Sequence, residues 1–461
     1  MRAVVIGASI GGLLAARALS DFAEDVLIVD RDVPPDTATP RKGVPQGRHV
    51  HGLLAGGVDV LRFFFPAILD DLAAEGARVV DTGQDILWFN GGWRLRYKCG
   101  VVGSLQTRPF LEMLLRRRVA KLANVHQTCG ASVAGIEMDV QRSRVTGVRV
   151  HEAGGDRTVP ADLVVDCSGR GSQTPAWLEA ARLERPPAET ITVNVGYSTQ
   201  YFRVSDEKRQ DWHALVILGR PPKGTRLGAC FFVENGDLQV TLGGEFRDYP
   251  PSDAAGFLEF ARTLENPAIF HTIRNATPAS EIATYRFPAH VWNHYEKLRS
   301  LPENLLVLGD ALCSFNPIYG QGMTVAAQQA QVLHSCFAAA GALPEASRSL
   351  QRRYFERASA IVKAAWAMAT GADMAFPQAE GRRSWTQGLA LRYTGHVLAL
   401  TCCDKTTVKV WNQVSHMQRP LSALFAPAIA TRVLHRAIAG RSSENHSLTS
   451  VPIPPNVRDS D

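Results

Sequence analysis

The sequence predicts a mixed fold that is α/β in its first part, α+β in its middle and helical towards its end. Three observations predict it. A glycine-rich turn between an apolar strand and a helix begins at Val4, alternating apolar and polar residues fill the middle of the chain, and helical periodicity dominates after residue 346. At 461 residues the chain is long enough for two or three structural units.

The first element is the stretch VVIGASIGGLLAARAL, which is typical of a strand, a tight turn and a helix, and DVLIVD follows as a second, parallel strand. In such a βαβ unit glycines let a pyrophosphate approach the backbone at the helix N-terminus, and an acid after the second strand binds ribose. Ser9 replaces the second glycine of this pattern, and an ordinary glycine-rich turn is the alternative. The residues expected at a dinucleotide are Gly7, Ser9, Ile10, Gly11, Gly12, Asp30 and Arg31.

A second strand, loop and helix follow in LLVLGDALCSFNPIYGQGMTVAAQQ. Asp310 ends the strand, where it can accept hydrogen bonds from polyol hydroxyls, and the loop offers backbone N–H groups to an anion. Reduction of an isoalloxazine ring places negative charge at N1 and O2, so a flavin needs a helix N-terminus there, whereas a nicotinamide does not. The two motifs together predict FAD.

The middle of the chain is rich in alternating Val, Thr and Phe, which predicts an antiparallel sheet, with a hairpin turn at Asn235-Gly236. A helix is expected at DAAGFLEFARTL and a further strand near EIATYRFP.

GASIGG and GDALCSFNPIYGQGM resemble the motifs of single-component flavoprotein monooxygenases of the aromatic-hydroxylase superfamily. RKGVPQGRHVHGLL, from Arg41, and ADLVVDCSGRGS, from Ala161, are similar to segments of bacterial polyether epoxidases of the lasalocid type, which are relatives of squalene epoxidase. The second segment has Ser168-Gly169 where aromatic hydroxylases usually carry an Asp-Gly pair. The resemblance runs from Met1 to about Ala330 and is weaker in the middle of the chain and in the C-terminal helices.

The resemblance implies a glutathione-reductase-type FAD-binding Rossmann domain formed by residues 1–180 and 301–345. Residues 181–300 would form an antiparallel-sheet substrate domain over the flavin. Residues 346–440 would form a C-terminal helical region, and the polar, proline-bearing residues 441–461 a disordered tail.

The resemblance also implies site residues. Arg108 would reach towards the FAD phosphates, since a guanidinium donates twice, although a surface cation at a helix start is the alternative. Arg41 and Gln46 would border the flavin, and His49 and His51 lie in the same segment, either in a direct role or as ordinary polar residues. The loop residues expected along the ring edge are Pro317, Gly320, Gln321, Gly322 and Met323.

The implied activity is insertion of one oxygen atom from O₂ through a C4a-hydroperoxyflavin, after NADPH or NADH has reduced the FAD. No catalytic side chain is identified, because this chemistry belongs to the cofactor. The sequence lacks a second dinucleotide fingerprint, so either nicotinamide binds transiently or a separate flavin reductase supplies electrons. An apolar small molecule, a polyene, terpenoid or aromatic, is the expected substrate.

Three reactions stay open. Epoxidation of an alkene in a polyketide or terpenoid of secondary metabolism, such as antibiotic biosynthesis, comes first. Aromatic hydroxylation on the same scaffold is second, and reduction of a prenyl chain is third. A flavin halogenase is disfavoured because the WxWxIP signature is not found.

Composition argues against other classes. The formal charge of +6 is scattered along the chain, so no nucleic-acid partner is expected. The eight cysteines have neither CxxC nor His/Cys ligand spacing, which predicts no metal site and fits a reducing cytoplasm. No secretory signal and no apolar stretch of about 18 residues is found, so a cytoplasmic protein without a spanning segment is expected, with shallow membrane contact by the C-terminal helices as a less favoured alternative.

Overall fold

The first part of the chain is organised around a five-stranded parallel sheet in the computed structural model, which describes residues 1–204, 211–341, 348–380 and 385–439. Elements are numbered in chain order. The strands of this sheet, in spatial order, are β17 (Leu305–Val307), β10 (Leu163–Asp166), β1 (Arg2–Ile6), β2 (Asp25–Asp30) and β6 (Val125–Cys129). All four pairings are parallel, so the carboxyl ends of the strands meet at one edge of the sheet.

Apolar helices cover this sheet. The helices of the first part are α1 (Ile10–Ser20), α2 (Ala55–Phe64), α3 (Ile68–Ala74), α4 (Arg108–Val119), α5 (Thr174–Ala180) and, after β17, α8 (Gly322–Ala338). Helices α1 and α8 pack against each other, and their buried residues share one core with the sheet.

An eight-stranded sheet forms the middle of the chain. Its strands, in spatial order, are β18 (Cys313–Ser314), β16 (Ala283–Asn293), β11 (Ala188–Arg203), β14 (Leu238–Gly244), β13 (Arg226–Phe232), β12 (Ala214–Ile217) and β4 (Ile86–Phe89), and β15 (Thr277–Pro278) pairs with β11. The pairings are antiparallel except that of β4 with β12. The predicted hairpin is confirmed, since Gly236 joins β13 to β14 with φ of +87°.

The predicted helix after this hairpin is confirmed as α6 (Ala254–Arg262), and α7 (Ala268–Ile273) follows it. Both pack their apolar residues against the large sheet. Two small antiparallel sheets were not expected from the sequence. Their strands are β3 (Arg78–Asp81) with β5 (Val102–Leu105), and β7 (Ser132–Met138), β8 (Val145–Glu152) and β9 (Gly155–Pro160).

The C-terminal region is helical as predicted, over its described residues. Its helices are α9 (Arg348–Asp373), α10 (Trp385–Leu400), α11 (Lys405–Ser415) and α12 (Pro427–Ala439). Short 3₁₀ turns lie at Pro45–Arg48, Gly169–Gly171, Tyr295–Lys297, Gly309–Ala311, Pro317–Tyr319 and Leu421–Phe425. Across the described ranges, no helix combines the length and the apolar character needed to span a bilayer.

The boundaries placed near residues 180, 300 and 345 stay predictions. Two strands of the large sheet, β4 and β18, come from outside residues 181–300, so the chain crosses between the two sheets more often than the sequence indicated. The tail predicted for residues 441–461 lies outside the described residues.

Candidate cofactor and active site

The first glycine turn lies at the carboxyl end of β1. Gly7 has φ of +99°, and a Cβ on it would lie 2.7 Å from the carbonyl oxygen of Cys167 at the end of β10. A Cβ on Gly12 would lie 1.8 Å from the carbonyl oxygen of Gly7. Since real Cβ atoms do not come this close to backbone, the turn requires glycine at both positions.

The second motif contacts the first. A Cβ on Gly11 would lie 3.2 Å from Leu308 Cδ2 and 3.6 Å from Ala326 Cβ in α8. Gly309, with φ of +70°, donates its backbone N–H to Gln329 Oε1 at 2.7 Å. The two glycine-rich segments, some 300 residues apart in sequence, therefore form one surface at the carboxyl edge of the parallel sheet.

Both helices that start at this surface begin without a side-chain cap. Ser9 precedes α1 and Gln321 precedes α8, and neither side chain bonds to the first-turn N–H groups. Pro317 begins a 3₁₀ turn, Gly320 follows it with φ of +64°, and Gly322 and Met323 open α8. The free N–H groups of two helix N-termini thus face the region where an anion is expected.

Arg108 reaches the first turn from the start of α4. Its Nη2 donates to Ser9 Oγ at 3.1 Å, and its Nη1 lies 3.4 Å from His51 Nε2. Burial lowers the pKa of Arg108, and the charges of Glu112 and Asp310 oppose that effect. The predicted residues Ser9, Arg108 and Asp310 are therefore brought together.

Thr107 positions Arg108. It caps α4 by accepting the N–H of Phe110 at 3.3 Å, and its hydroxyl donates to Glu234 Oε1 at 2.6 Å. Because the Thr107 hydroxyl bonds both to the first turn of α4 and to Glu234, the helix start is fixed, and so is the neighbouring Arg108.

Arg41 lies in a cluster of three carboxylates. Its Nε donates to Glu112 Oε1 at 2.6 Å, and its Nη1 donates to Asp32 Oδ2 at 2.9 Å and to Asp30 Oδ1 at 3.2 Å. Burial acts to lower the pKa of Arg41, but the charges of Glu112 and Asp30 and the hydrogen bonds outweigh it, so the pKa is raised. Nε and Nη1 of Arg41 are engaged by protein carboxylates, which favours a structural contribution to the cofactor site.

Asp30 is also engaged. Its Oδ2 accepts the N–H of Ala8 at 2.5 Å and its Oδ1 accepts that of Asp32 at 2.8 Å, which ties the end of β2 to the first turn. Its ribose contact stays a prediction, as do the cofactor contact of Arg31, which is exposed, and the position of Gln46 beside the flavin. Gln46 is half-buried, and its backbone carbonyl accepts the N–H of His49.

Asp310 is placed differently. Among the residues that the structure describes, no donor bonds to its carboxylate, and its Oδ1 would lie 3.6 Å from a Cβ on Gly322. Burial raises the pKa of Asp310, and the charges of Arg108 and Arg170 act in the opposite direction. A partly buried acceptor without a partner is suited to ligand hydroxyls.

Further polar groups were missed by sequence reasoning. Gln106 is 1% exposed, and neither atom of its side-chain amide has a partner within the described part of the chain. The same holds for Arg108 Nε, Gln321 Oε1 and Thr324 Oγ1. Gln106 lies two residues before Arg108, and this short separation in sequence was the only indication that Gln106 could belong to the site. Native proteins rarely leave buried amides unpaired, so these atoms are available to a polar ligand.

His49 and His51 line the same region. His49 is 4% exposed, and its Nδ1 lies 2.7 Å from Thr199 Oγ1 in β11, while its Nε2 has no partner among described residues. Burial, and then the charge of Arg48, lowers the pKa of His49 to about 4. Burial, and then the charge of Arg108, lowers the pKa of His51 to about 3. Both imidazoles are neutral at pH 7.

These groups fit FAD. The uncapped N-terminus of α1 and Arg108 suit a pyrophosphate, and the unpaired Asp310 and Gln106 suit hydroxyls. The uncapped N-terminus of α8 and the loop before it suit a ring that gains negative charge.

Comparison with known proteins supports this fit. Residues 1–369 match the family model described as FAD binding domain. The chain belongs to this FAD-binding-domain family. It is 34% identical over 342 residues to the protein Rv3254 of Mycobacterium tuberculosis (strain ATCC 25618 / H37Rv), with 71% of each chain covered.

Two more distant similarities agree with the family. The chain is 23% identical over 381 residues to kynurenine 3-monooxygenase of Salinispora tropica, with 73% of each chain covered. Its fold is similar to the crystal structure of a flavoprotein/dehydrogenase from Cytophaga hutchinsonii, with a TM-score of 0.67, 15% identity, and coverage of 95% of this chain and 100% of that one.

The predicted FAD cofactor and Rossmann-type fold are thereby confirmed, and the predicted FAD-dependent monooxygenase is confirmed at the level of its FAD-binding family. The comparisons do not single out polyether or squalene epoxidases, so the epoxidase assignment belongs with the proposals.

Replacing Arg108 with alanine is expected to weaken FAD binding about 10- to 150-fold. The variant loses a charge-assisted hydrogen bond to phosphate, which contributes about 1.5–3 kcal/mol. Fluorescence titration of the flavin-free protein with FAD measures the dissociation constant. Arg117→Ala is the matched control, because this arginine lies in the same helix and is exposed. Equal affinities in the two variants would contradict the placement of Arg108 at the phosphates.

The His49→Gln variant is expected to lose stability less steeply than the wild type between pH 7 and pH 5. His49 is neutral in the folded protein down to about pH 4, whereas in the unfolded chain it takes up a proton near pH 6.5, so its contribution is present at pH 7 and lost as the pH falls through 6.5 towards 4. Urea unfolding should show about 2 kcal/mol less loss in the variant. The exposed His435, replaced by glutamine, is the control, and an unchanged slope in His49→Gln would refute the assignment.

Proposed function

We propose that this chain is an FAD-dependent monooxygenase that epoxidises an alkene of a polyketide or terpenoid in secondary metabolism. The observation that carries the proposal is the packing of Gly11 against Leu308 and Ala326. This packing brings the first glycine turn, which is expected at the phosphates, next to the second motif, which is expected at the flavin ring. One cofactor can therefore contact both segments, and FAD carries a pyrophosphate suited to the first and a redox ring suited to the second.

The chain's own residues would hold the cofactor. Gly7, Ser9, Gly12 and Arg108 would bind the pyrophosphate, Asp310 would accept hydrogen bonds from the ribityl chain, and the loop from 317 to 323 would border the ring. Bound FAD would supply the activation of O₂ after it has been reduced by NADPH, NADH or a separate reductase. The protein then has to orient the substrate and exclude water.

An apolar wall next to the loop supports an alkene substrate. Val193, Val195, Tyr197 and Phe287 form a buried cluster on the large sheet, and Ile318 of the loop packs against it. The Tyr197 hydroxyl donates to Asn316 Oδ1 at 3.2 Å, which fixes the sheet to the loop. A substrate site that borders this buried apolar cluster would exclude water and favour a hydrocarbon.

Aromatic hydroxylation is the second candidate. A phenol substrate needs a hydrogen-bond acceptor that raises the electron density of its ring. The unpartnered Nε2 of His49 would be such an acceptor in the tautomer whose Nδ1 donates its proton to Thr199 Oγ1. The ring of His49 lies 5.9 Å from that of Tyr197 and 5.7 Å from that of Tyr285, so its free nitrogen borders the same wall. The similarity to a kynurenine 3-monooxygenase also supports this candidate.

The deciding experiment reduces the FAD-bound protein anaerobically with NADPH, NADH or an added flavin reductase, and then admits isotopically labelled O₂. Parallel samples contain polyenes, terpenoids or phenols, and mass spectrometry locates the label. A labelled epoxide supports the proposal, and a labelled phenol product supports the second candidate. A saturated product formed before O₂ is admitted would show a reductase and overturn both.

A further inference from the structure

A buried polar network surrounds Asp373, the last residue of α9. The Tyr319 hydroxyl donates to Asp373 Oδ1 at 2.5 Å, and His290 Nε2 lies 2.5 Å from Oδ2. The side-chain amide of Asn316 donates to Oδ1 at 3.4 Å and accepts the hydroxyl of Tyr197 through its oxygen. The side chains of Asp373 and His290 have no exposed surface, so solvent does not share in the network.

The hydrogen bonds fix the proton on His290. Its Nδ1 accepts the backbone N–H of Asn316 at 3.1 Å, so the ring proton is on Nε2 and is donated to Asp373. A second proton on Nδ1 would break the bond to Asn316, so His290 is neutral. Three donors face the carboxylate of Asp373, which is the environment of an ionised group.

Glu245 lies beside this carboxylate. It is 5% exposed, and its Oε1 has no partner among the residues described. Burial, and then the charge of Asp373, raises the pKa of Glu245 well above its usual range. This shift favours the protonated form of Glu245, and the three donors around Asp373 place the negative charge of the pair on Asp373.

This charge is not explained by packing. Burying a charge is costly, and the C-terminus of a helix such as α9 disfavours an anion. The network nonetheless includes Asn316 and Tyr319, both of which bond to Asp373. Gly320 and Gln321 of the loop follow Tyr319 directly in the sequence. The hydrogen bonds around Asp373 favour one arrangement of the segments they join, here α9, β16, β11 and the loop.

We propose that Asp373 is a positioning residue that fixes the loop of residues 317–323 from behind, and that its buried negative charge lowers the reduction potential of the bound FAD. The inference rests on the proposed placement of this loop at the flavin ring. A negative charge near the ring opposes the addition of electrons, so its removal favours the reduced cofactor.

The test measures the midpoint potential of the FAD-bound protein by anaerobic equilibration with a reference dye. Asp373→Asn keeps the shape of the side chain and removes its charge, and it is expected to favour reduced FAD at least tenfold, or about 30 mV for a two-electron couple. Glu245→Gln replaces one neutral group with another and is expected to leave the potential unchanged. A wild-type potential in Asp373→Asn, or an equal shift in Glu245→Gln, would overturn the proposal.

A second measurement holds even where Asp373→Asn fails to fold. Tyr319→Phe removes one bond between the loop and Asp373 but retains the charge, and it is expected to weaken FAD binding about threefold or more. Unchanged affinity in Tyr319→Phe would refute the positioning role. Neither measurement uses O₂ or a substrate. If the proposed epoxidation is disproved, the measured potential and FAD affinity remain valid. If these two measurements contradict the role of Asp373, the epoxidation can still be tested.

Discussion

Asp310→Ala is expected to purify largely free of yellow FAD. The Asp310 carboxylate lies in the 3₁₀ turn after β17, partly buried and without a donor in the described parts of the chain. It is 3.6 Å from the position of a Cβ on Gly322. Hydrogen bonds to a charged acceptor contribute about 1.5–3 kcal/mol, so the dissociation constant should rise about 10- to 150-fold.

The ratio of visible to ultraviolet absorbance after purification, followed by titration with FAD, measures this effect. Asp36→Ala is the matched control, because Asp36 is exposed. A variant at position 310 that retains the flavin content of the wild type would argue that the cofactor is held elsewhere.

Gly12→Ala is expected to destabilise the protein by about 3 kcal/mol or more and to abolish FAD binding. The new methyl group would lie 1.8 Å from the carbonyl oxygen of Gly7, which is backbone and cannot rotate away. The turn that brings α1 close to β1 would have to open.

Gly11→Ala provides a comparison within the same turn. Its methyl group would meet the side chain of Leu308 at 3.2 Å, and a leucine side chain can adjust by a few tenths of an ångström. Urea unfolding and FAD content together should therefore separate the two variants clearly. Similar losses of stability and FAD content in both variants would contradict the clash at Gly12 as the cause. They would show instead that the turn depends on the backbone flexibility of its glycines.

The first cofactor turn could be predicted because its signal is local. The residues from Val4 to Asp30 specify strand, turn, helix and strand in order, and only glycine suits Gly7 and Gly12. The second motif was recognised in the same way, and parallel strand order then brings the two together without further information.

The rest depends on contacts between distant residues. Arg41 bonds to Glu112 across 71 positions, and Asp373 meets His290 across 83, and no periodicity in the sequence records either pair. Gln106 was missed because an unpaired amide becomes visible only when burial is known. Side-chain partners at such separation follow from packing, which a single sequence does not display.

The parallel pairing of β4 with β12 has a practical consequence. Residues Ile86–Phe89 lie within the part of the chain that forms the nucleotide-binding region, yet they form an edge strand of the large sheet. The two regions are therefore connected by the chain on both sides of this strand. A chimaera that exchanges the middle segment for that of a homologue would lose this rim strand unless residues 86–89 are exchanged with it.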